Sequence, residues 1–224
     1  MSDARPVLRT FGRIKSRPIK ARQAALLETL LPRLRPPAED FDPRGLLPGA
    51  TEAWLEVGFG GGEHLAGQAA RNPHAAFIGA EPFINGVASG LRHLDEAGLG
   101  NVRIHDGDVR ELLGRMPGAS LDRVFILFPD PWPKTRHHKR RIVEPQTVAE
   151  LARLLKPGGR LRFASDVAHY VDWALEKILA CPAFAWTAAR ADDWREPPAD
   201  HVTTRYEEKR LGDCAPVFLD FVRL

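Results

Sequence analysis

The sequence predicts an α/β fold: a doubly wound, mostly parallel seven-stranded sheet with a basic N-terminal extension. Three observations carry that expectation. From Thr51 onward, short apolar runs of strand length alternate with longer stretches of helical composition and periodicity. Glycine, proline or an acid punctuates the junctions, so each run has a defined end. The run Val124 to Phe128, five apolar residues stopped at once by Pro129, has the length and β-branched or aromatic content of a fully buried strand.

In chain order, residues 1–20 carry Arg5, Arg9, Arg13, Lys15, Arg17 and Lys20 with little periodicity and read as an arm. Ile19 to Leu31 is dominated by Ala, Leu, Gln and Glu and is expected to be helical until Pro32 ends it. Prolines at 36, 37, 43 and 48 make the connector irregular, which divides the chain into an arm, helix and connector at 1–50 and a main domain at 51–224. Within the main domain, strands are expected at Ala53–Val57, Ala76–Ala80, Val102–His105, Val124–Phe128, Arg160–Ala164, Phe184–Ala188 and Val217–Val222. Helices are expected at Glu63–Arg71, after Glu81 to about Ala97, at Val109–Arg115, at Val143–Leu155 and at Val167–Ala180. The Lys156-Pro157-Gly158-Gly159 turn stops the fourth of these.

Composition narrows the class. A hydrophobic fraction of 44% and a charged fraction of 27% are ordinary for a soluble protein. No run of 18 apolar residues occurs and no apolar core follows the basic N-terminus, so neither a membrane span nor a secretory signal is expected and the cytoplasm is the default address. Cys181 and Cys214 are too few for a disulfide framework and lack zinc-site spacing. Adjacent His137 and His138 have no carboxylate or thiol companion at ligand spacing, so no metal is expected. The net charge of +3 hides two basic islands, +7 over residues 1–35 and +5 over 134–141, on a body that carries −9. Such islands suit a phosphate-rich partner, although solvated segments would show the same composition.

In an open parallel sheet, ligands sit outside the carboxyl ends of the strands. Here those ends hold Glu56 with Gly58, Gly60 and Gly62, then Glu81, Asp108, Asp130 and Asp166. The glycines alone would also suit a dinucleotide, but that fingerprint needs Gly or Ala at position 63, where Glu63 stands, and no Gly-Lys-Ser/Thr follows for a phosphate loop. A glycine turn amid acids fits an adenosine joined to a zwitterionic amino acid, whose ammonium and sulfonium charges need carboxylates. Glu81 is placed for the ribose hydroxyls, and Asp108 for the adenine amine. Together these features indicate S-adenosylmethionine.

The blocks Glu56-Val-Gly-Phe-Gly-Gly-Gly, Gly79-Ala-Glu81-Pro, Gly107-Asp108, Phe128-Pro-Asp130-Pro-Trp-Pro-Lys134, Arg136-His-His-Lys-Arg-Arg141 and Thr204-Arg-Tyr-Glu207 resemble the bacterial tRNA (guanine-N7)-methyltransferase family, from about Thr51 to the C-terminus. The Pro-Asp-Pro-Trp-Pro-Lys block is the most specific of them. The resemblance implies a Rossmann-like class I methyltransferase fold, with S-adenosylmethionine as cofactor and tRNA as partner, in a monomer or homodimer. It implies donor contacts at Glu56, Gly58, Gly60, Glu81, Pro82, Asp108, Val109 and Asp130, with Asp130 catalytic. It further implies base or tRNA contacts at Lys134, Asp166, Thr204, Arg205, Tyr206 and Glu207, and RNA contacts at Arg136, His137, His138, Lys139, Arg140 and Arg141. Tyr206, Ser165 and Val167 depart from the family's commoner Phe, Thr and Trp, which bears on the shape of the base pocket. Trp132 suits base stacking and loop anchoring equally. Two other readings remain: methylation of an exocyclic amine of another base, and an RNA-binding protein with an inactive donor fold.

Overall fold

A computed structural model describes residues 18–224. The first helical elements are α1 (Ala21–Thr29) and α2 (Leu31–Leu34), followed by a 3-10 turn at Pro43–Leu46. The main alternation comes next: β1 (Glu52–Val57), α3 (Glu63–Arg71), β2 (Ala75–Ala80), α4 (Ile84–Glu96), β3 (Val102–His105), α5 (Arg110–Leu113) and β4 (Leu121–Leu127). A 3-10 stretch at Thr135–Arg140 leads to α6 (Pro145–Leu154), β5 (Leu155–Ser165), α7 (Ala168–Leu179), β6 (Phe184–Trp186), α8 (Asp192–Arg195), α9 (Arg205–Lys209) and β7 (Val217–Arg223). The seven strands form one sheet in the order β3-β2-β1-β4-β5-β7-β6. All neighbouring pairs are parallel except those of β7, which runs antiparallel to both β5 and β6. The expected doubly wound, mostly parallel sheet is therefore present.

The period-2 geometry of strands places alternate residues on opposite faces, and both faces here are apolar. Ala53, Leu55, Val57, Val124, Ile126, Leu161 and Phe163 belong to the core on the α5–α7 face. Trp54, Phe77, Phe125, Leu127 and Ala164 belong to the opposite core, with Leu65 and Leu91 from α3 and α4. Leu31 and Leu34 of α2 join that second core at 3% and 8% exposure, so this segment is packed against the domain. Pro32 does not end the helical region. The chain breaks at Leu30 and α2 restarts with Pro32 in its first turn, where a missing N–H costs nothing.

β6 stops at Trp186, short of Ala188, α5 covers only Arg110–Leu113 and α6 starts at Pro145; two other boundaries differ for reasons the residues show. β4 begins at Leu121, because Asp122 and Arg123 occupy the strand as polar residues: Asp122 accepts a hydrogen bond from the Ala53 amide (2.9 Å) and pairs with Lys156 (2.6 Å). β5 begins at Leu155, directly after α6, and the Pro157-Gly158 turn appears as an irregularity between the Leu121 and Arg123 pairings. Gly158, at φ 81°, supplies the left-handed residue this bulge requires.

Candidate active site

The turn after β1 is built on three left-handed glycines, Gly58, Gly60 and Gly62, at φ 71°, 54° and 83°. A Cβ at Gly58 or Gly60 would meet nothing within 4 Å, whereas one at Gly62 would stand 2.5 Å from the Gly90 Cα. The first two glycines therefore leave open space above the turn, of the kind a cradled ligand fills. The third lets α3 press against α4. Glu81, at the end of β2, ties this turn to the next one: its carboxylate accepts from the Gly60 and Phe83 amides, each at 2.8 Å. Each oxygen keeps a second acceptor site, which suits the two hydroxyls of a ribose.

Burial pushes the Glu81 carboxyl from 4.5 up to about 7; the Phe83 and Gly60 amides oppose the rise, and the charges of Asp130 and Glu56 add to it. Between those two values the folded protein keeps a proton on Glu81 that the unfolded chain has lost. Stability from this group therefore falls as pH rises through that window, by up to about 3 kcal/mol. Glu81→Gln is expected to remove this fall, seen as urea midpoints that change less between pH 5 and pH 7.5 than those of the wild type.

β4 lies beside β1, with Glu56 opposite Phe125 and Val57 opposite Ile126, so the loop after Leu127 leaves next to the glycine turn. Phe128 (φ 49°) and Trp132 (φ 43°) both hold left-handed backbone, which costs a non-glycine residue roughly 1–2 kcal/mol each. The Phe128 amide nevertheless donates to the Ala164 carbonyl at 2.8 Å. Between them Asp130 opens to solvent and makes no hydrogen bond or ion pair with any described residue. The protein beneath it still raises its carboxyl above the ordinary aspartate value. The Trp132 ring is held in the loop by the Arg140 guanidinium (4.9 Å) and the edge of His137 (6.0 Å).

The basic island that follows is not uniform. Lys134, Arg136 and Lys139 are exposed, and Arg140 is half-buried. Arg141 departs from the expected RNA contact: it is 1% exposed, its Nε donates to the Pro131 carbonyl (2.8 Å) and its Nη2 lies 3.0 Å from His169 Nδ1. Its guanidinium stacks on Tyr170 and Trp173 at 4.8 and 4.7 Å. His138 also turns inward, its ring 5.2 Å from both His169 and Trp173. The cause is α7, whose aromatic face supplies a better home for these two residues than water does. Arg5, Arg9, Arg13, Lys15 and Arg17, the core of the other basic island, lie outside the described residues.

Several expected contact residues already have protein partners. Asp108 is held by the Arg110 amide and guanidinium, and although burial works to raise its carboxyl, those bonds bring it below the ordinary value. Val109, 5% exposed, precedes α5, and half-buried Pro82 follows Glu81. Asp166 is 4% exposed and accepts from the Gly212 amide (2.9 Å). Thr204 and Glu207 form a capping box at the start of α9, and Glu207 also binds His201 Nε2 at 2.7 Å. These bonds fix the start of α9 and the placement of both side chains. Arg205 and Tyr206, exposed on α9, are free to face a substrate, and the Tyr206 ring lies 5.8 Å from that of Phe128. Glu56 is 4% exposed and bound to His64, which the sequence reading passed over. The available signal was His64 and Gln68, a polar i,i+4 pair on the buried side of α3.

Cavities of about 340 Å³, beside Phe41 and Met116, and about 460 Å³, between Trp54 and Gly159, contain none of the acids at the carboxyl ends of the strands. The site is the open edge where those acids converge. Among the described residues, no group of three or more His, Cys, Asp or Glu is placed to hold a metal, and no helix is long and apolar enough to cross a membrane.

Residues 50–218 match a family model described as putative methyltransferase. A tRNA (guanine-N(7)-)-methyltransferase of Caulobacter sp. (strain K31) is 63% identical over 217 residues, covering 97% of this chain and 96% of the relative. The chain belongs to the tRNA (guanine-N(7)-)-methyltransferase family. A member from Hyphomonas neptunium is 50% identical over 96% of this chain and 99% of its own length. Solved structures carry the fold further afield. A 16S rRNA (adenine(1408)-N(1))-methyltransferase of Catenulisporales acidiphilia with cosubstrate SAM superimposes with a TM-score of 0.57 at 18% identity, over 83% of this chain and 92% of that one. The 16S rRNA methyltransferase KamB gives 0.56 at 15%, over 80% and 92%. The fold of the family member described here is thus that of the Rossmann-like methyltransferases, with the glycine turn and the Asp130 loop on adjacent strands.

Proposed function

We propose that the protein transfers the methyl group of S-adenosylmethionine to N7 of a guanine in tRNA, in the variable loop, giving N7-methylguanosine and S-adenosylhomocysteine. The observation that carries this reading is the Asp130 carboxylate, exposed and without a partner among the described residues, flanked by two left-handed residues beside an acid-lined glycine turn. S-adenosylmethionine supplies a methyl on a sulfonium, which needs a nucleophile in line. Guanine N7 offers an in-plane lone pair and no proton, so no general base is required. The protein contributes alignment, exclusion of water and a fixed negative charge for the purine cation that forms.

In this reading Gly58 and Gly60 admit the donor backbone, Glu81 and Pro82 meet the ribose, Asp108 and Val109 the adenine, and Glu56 and Asp130 the charged end. Asp130 also faces the guanine N1 and N2 edge, with Lys134, Asp166, Thr204, Arg205, Tyr206 and Glu207 around the base. Exposed Lys134, Arg136 and Lys139 grip the phosphates beside it. A tRNA substrate suits a cytoplasmic site of work.

The test is incubation with labelled S-adenosylmethionine and unmodified tRNA, then nucleoside mapping. Label in a nucleoside that is labile to mild base and reduction is expected, because N7 methylation leaves a fixed positive charge. Label in an exocyclic amine, or no transfer with no donor binding, overturns the reading.

A further inference from the structure

The face of the sheet beneath the donor turn carries a chain of buried polar groups that no apolar core requires. His64, fully buried on α3, lies with Nδ1 2.8 Å from Glu56 Oε2. Its other nitrogen, Nε2, is 3.3 Å from Gln68 Nε2, and that same amide nitrogen donates to the Asp200 carbonyl at 2.7 Å. The carbonyl of Asp200 is an acceptor only, so the Gln68 group facing it is the NH2. With its second hydrogen directed at His64, Nε2 of the ring must accept. The proton of the neutral imidazole then sits on Nδ1 and is donated to Glu56.

Asp200 is itself fixed. Its carboxylate pairs with Arg162 and Arg123, both at 2.7 Å, and Arg162 binds Asp220 as well. These bonds bring the Asp200 carboxyl down to about 2 against the opposing effect of burial. Val202, two residues on, packs within 3.0 Å of where a Gly67 Cβ would stand, so the stretch leading to Thr204 and α9 lies directly on α3. The series Glu56, His64, Gln68, Asp200 therefore joins the floor of the donor turn to the segment that presents Arg205 and Tyr206.

We propose that His64 is a positioning residue that orients the Glu56 carboxylate, in a ring tautomer set by Gln68 and, through it, by the Asp200 carbonyl. This rests on the reading in which Glu56 faces the methyl donor. With one oxygen held by His64, the other is left to meet a cation. The side chain cannot swing away without leaving a buried imidazole N–H unpaired, a loss typical of buried hydrogen-bond partners. Swapping the tautomer would turn a donor into an acceptor against a carboxylate, which is repulsive.

The experiment uses the full chain, with calorimetric titration of S-adenosylmethionine, steady-state turnover on unmodified tRNA, thermal melts and 15N shifts of the His64 ring. His64→Leu is expected to raise the donor Kd by about tenfold or more, the scale of a lost bond to a charged group. His64→Asn, whose amide nitrogen takes the place of Nδ1, is expected to restore it to within about threefold, since that bond is kept. Gln68→Leu is expected to raise the donor KM severalfold with kcat at saturating donor unchanged, and to shift the ring away from the Nδ1–H tautomer. A folded His64→Leu or Gln68→Leu that binds the donor as the wild type does overturns the proposal. If His64→Leu does not fold, His64→Asn and Gln68→Leu decide it. Absence of donor binding by the wild type would instead defeat the functional reading on which this rests.

Discussion

Asp130→Ala is expected to lower turnover on tRNA by ~100- to 1000-fold, the usual loss when one preorganised polar group is removed from a reacting centre. The donor Kd is expected to stay within severalfold, because Glu81, Glu56 and the glycine turn are untouched. The division follows from geometry: Asp130 stands on the loop that leaves the strand next to the turn, has no partner among the described residues, and carries a charge that the protein beneath it makes harder to hold. A raised carboxyl also predicts a contribution to the acid limb of the rate profile above the ordinary aspartate range, and in the variant that contribution should be lost while that of Glu81 stays. Single-turnover rates across pH with a parallel donor titration check both. Wild-type turnover in Asp130→Ala would end the assignment.

Arg141→Ala is expected to cost about 3 kcal/mol of stability, from a carbonyl left without its charged donor and two rings left without their cation. At 2–4 °C per kcal/mol for a chain of this size, melting should fall by roughly 6–12 °C. Turnover should drop ~100-fold at temperatures where the protein is folded, since the Pro131 carbonyl follows Asp130 directly and small misplacements are expensive. The salt dependence of tRNA binding should hardly move. Lys139→Ala is the contrast: the residue is exposed, so melting should hold while the salt slope falls by about one. If Arg141→Ala instead behaved like Lys139→Ala, the buried role would be wrong.

That contrast shows what the sequence conveys and what it withholds. The strand Val102–His105 and the helix Glu63–Arg71 were legible to the residue, because periodicity and glycine punctuation are local signals. The convergence of Glu56, Glu81 and Asp130 was legible too, since a parallel sheet brings its carboxyl ends together whatever the side chains. Asp122 and Arg123 hid the start of β4, because a polar residue paired across strands looks like a loop residue until its partner is known. In the run Arg136 to Arg141, one-dimensional charge gives no means of telling Lys139 from Arg141. The difference comes from Tyr170 and Trp173, about thirty residues away. His64 was missed for the same reason, as its meaning depends on Asp200.

The position of β7 also makes one half of the sheet depend on the end of the chain. β6 comes earlier in the chain but pairs with β7 alone, and β7 fills the gap between it and β5. Until Val217–Arg223 arrives, β6 has no ladder to join and the edge of β5 stays open. β3, β2, β1 and β4 can pair without it. The half of the sheet that carries the glycine turn and the Asp130 loop thus pairs without the last strand, and the half that carries α9 is completed only by it.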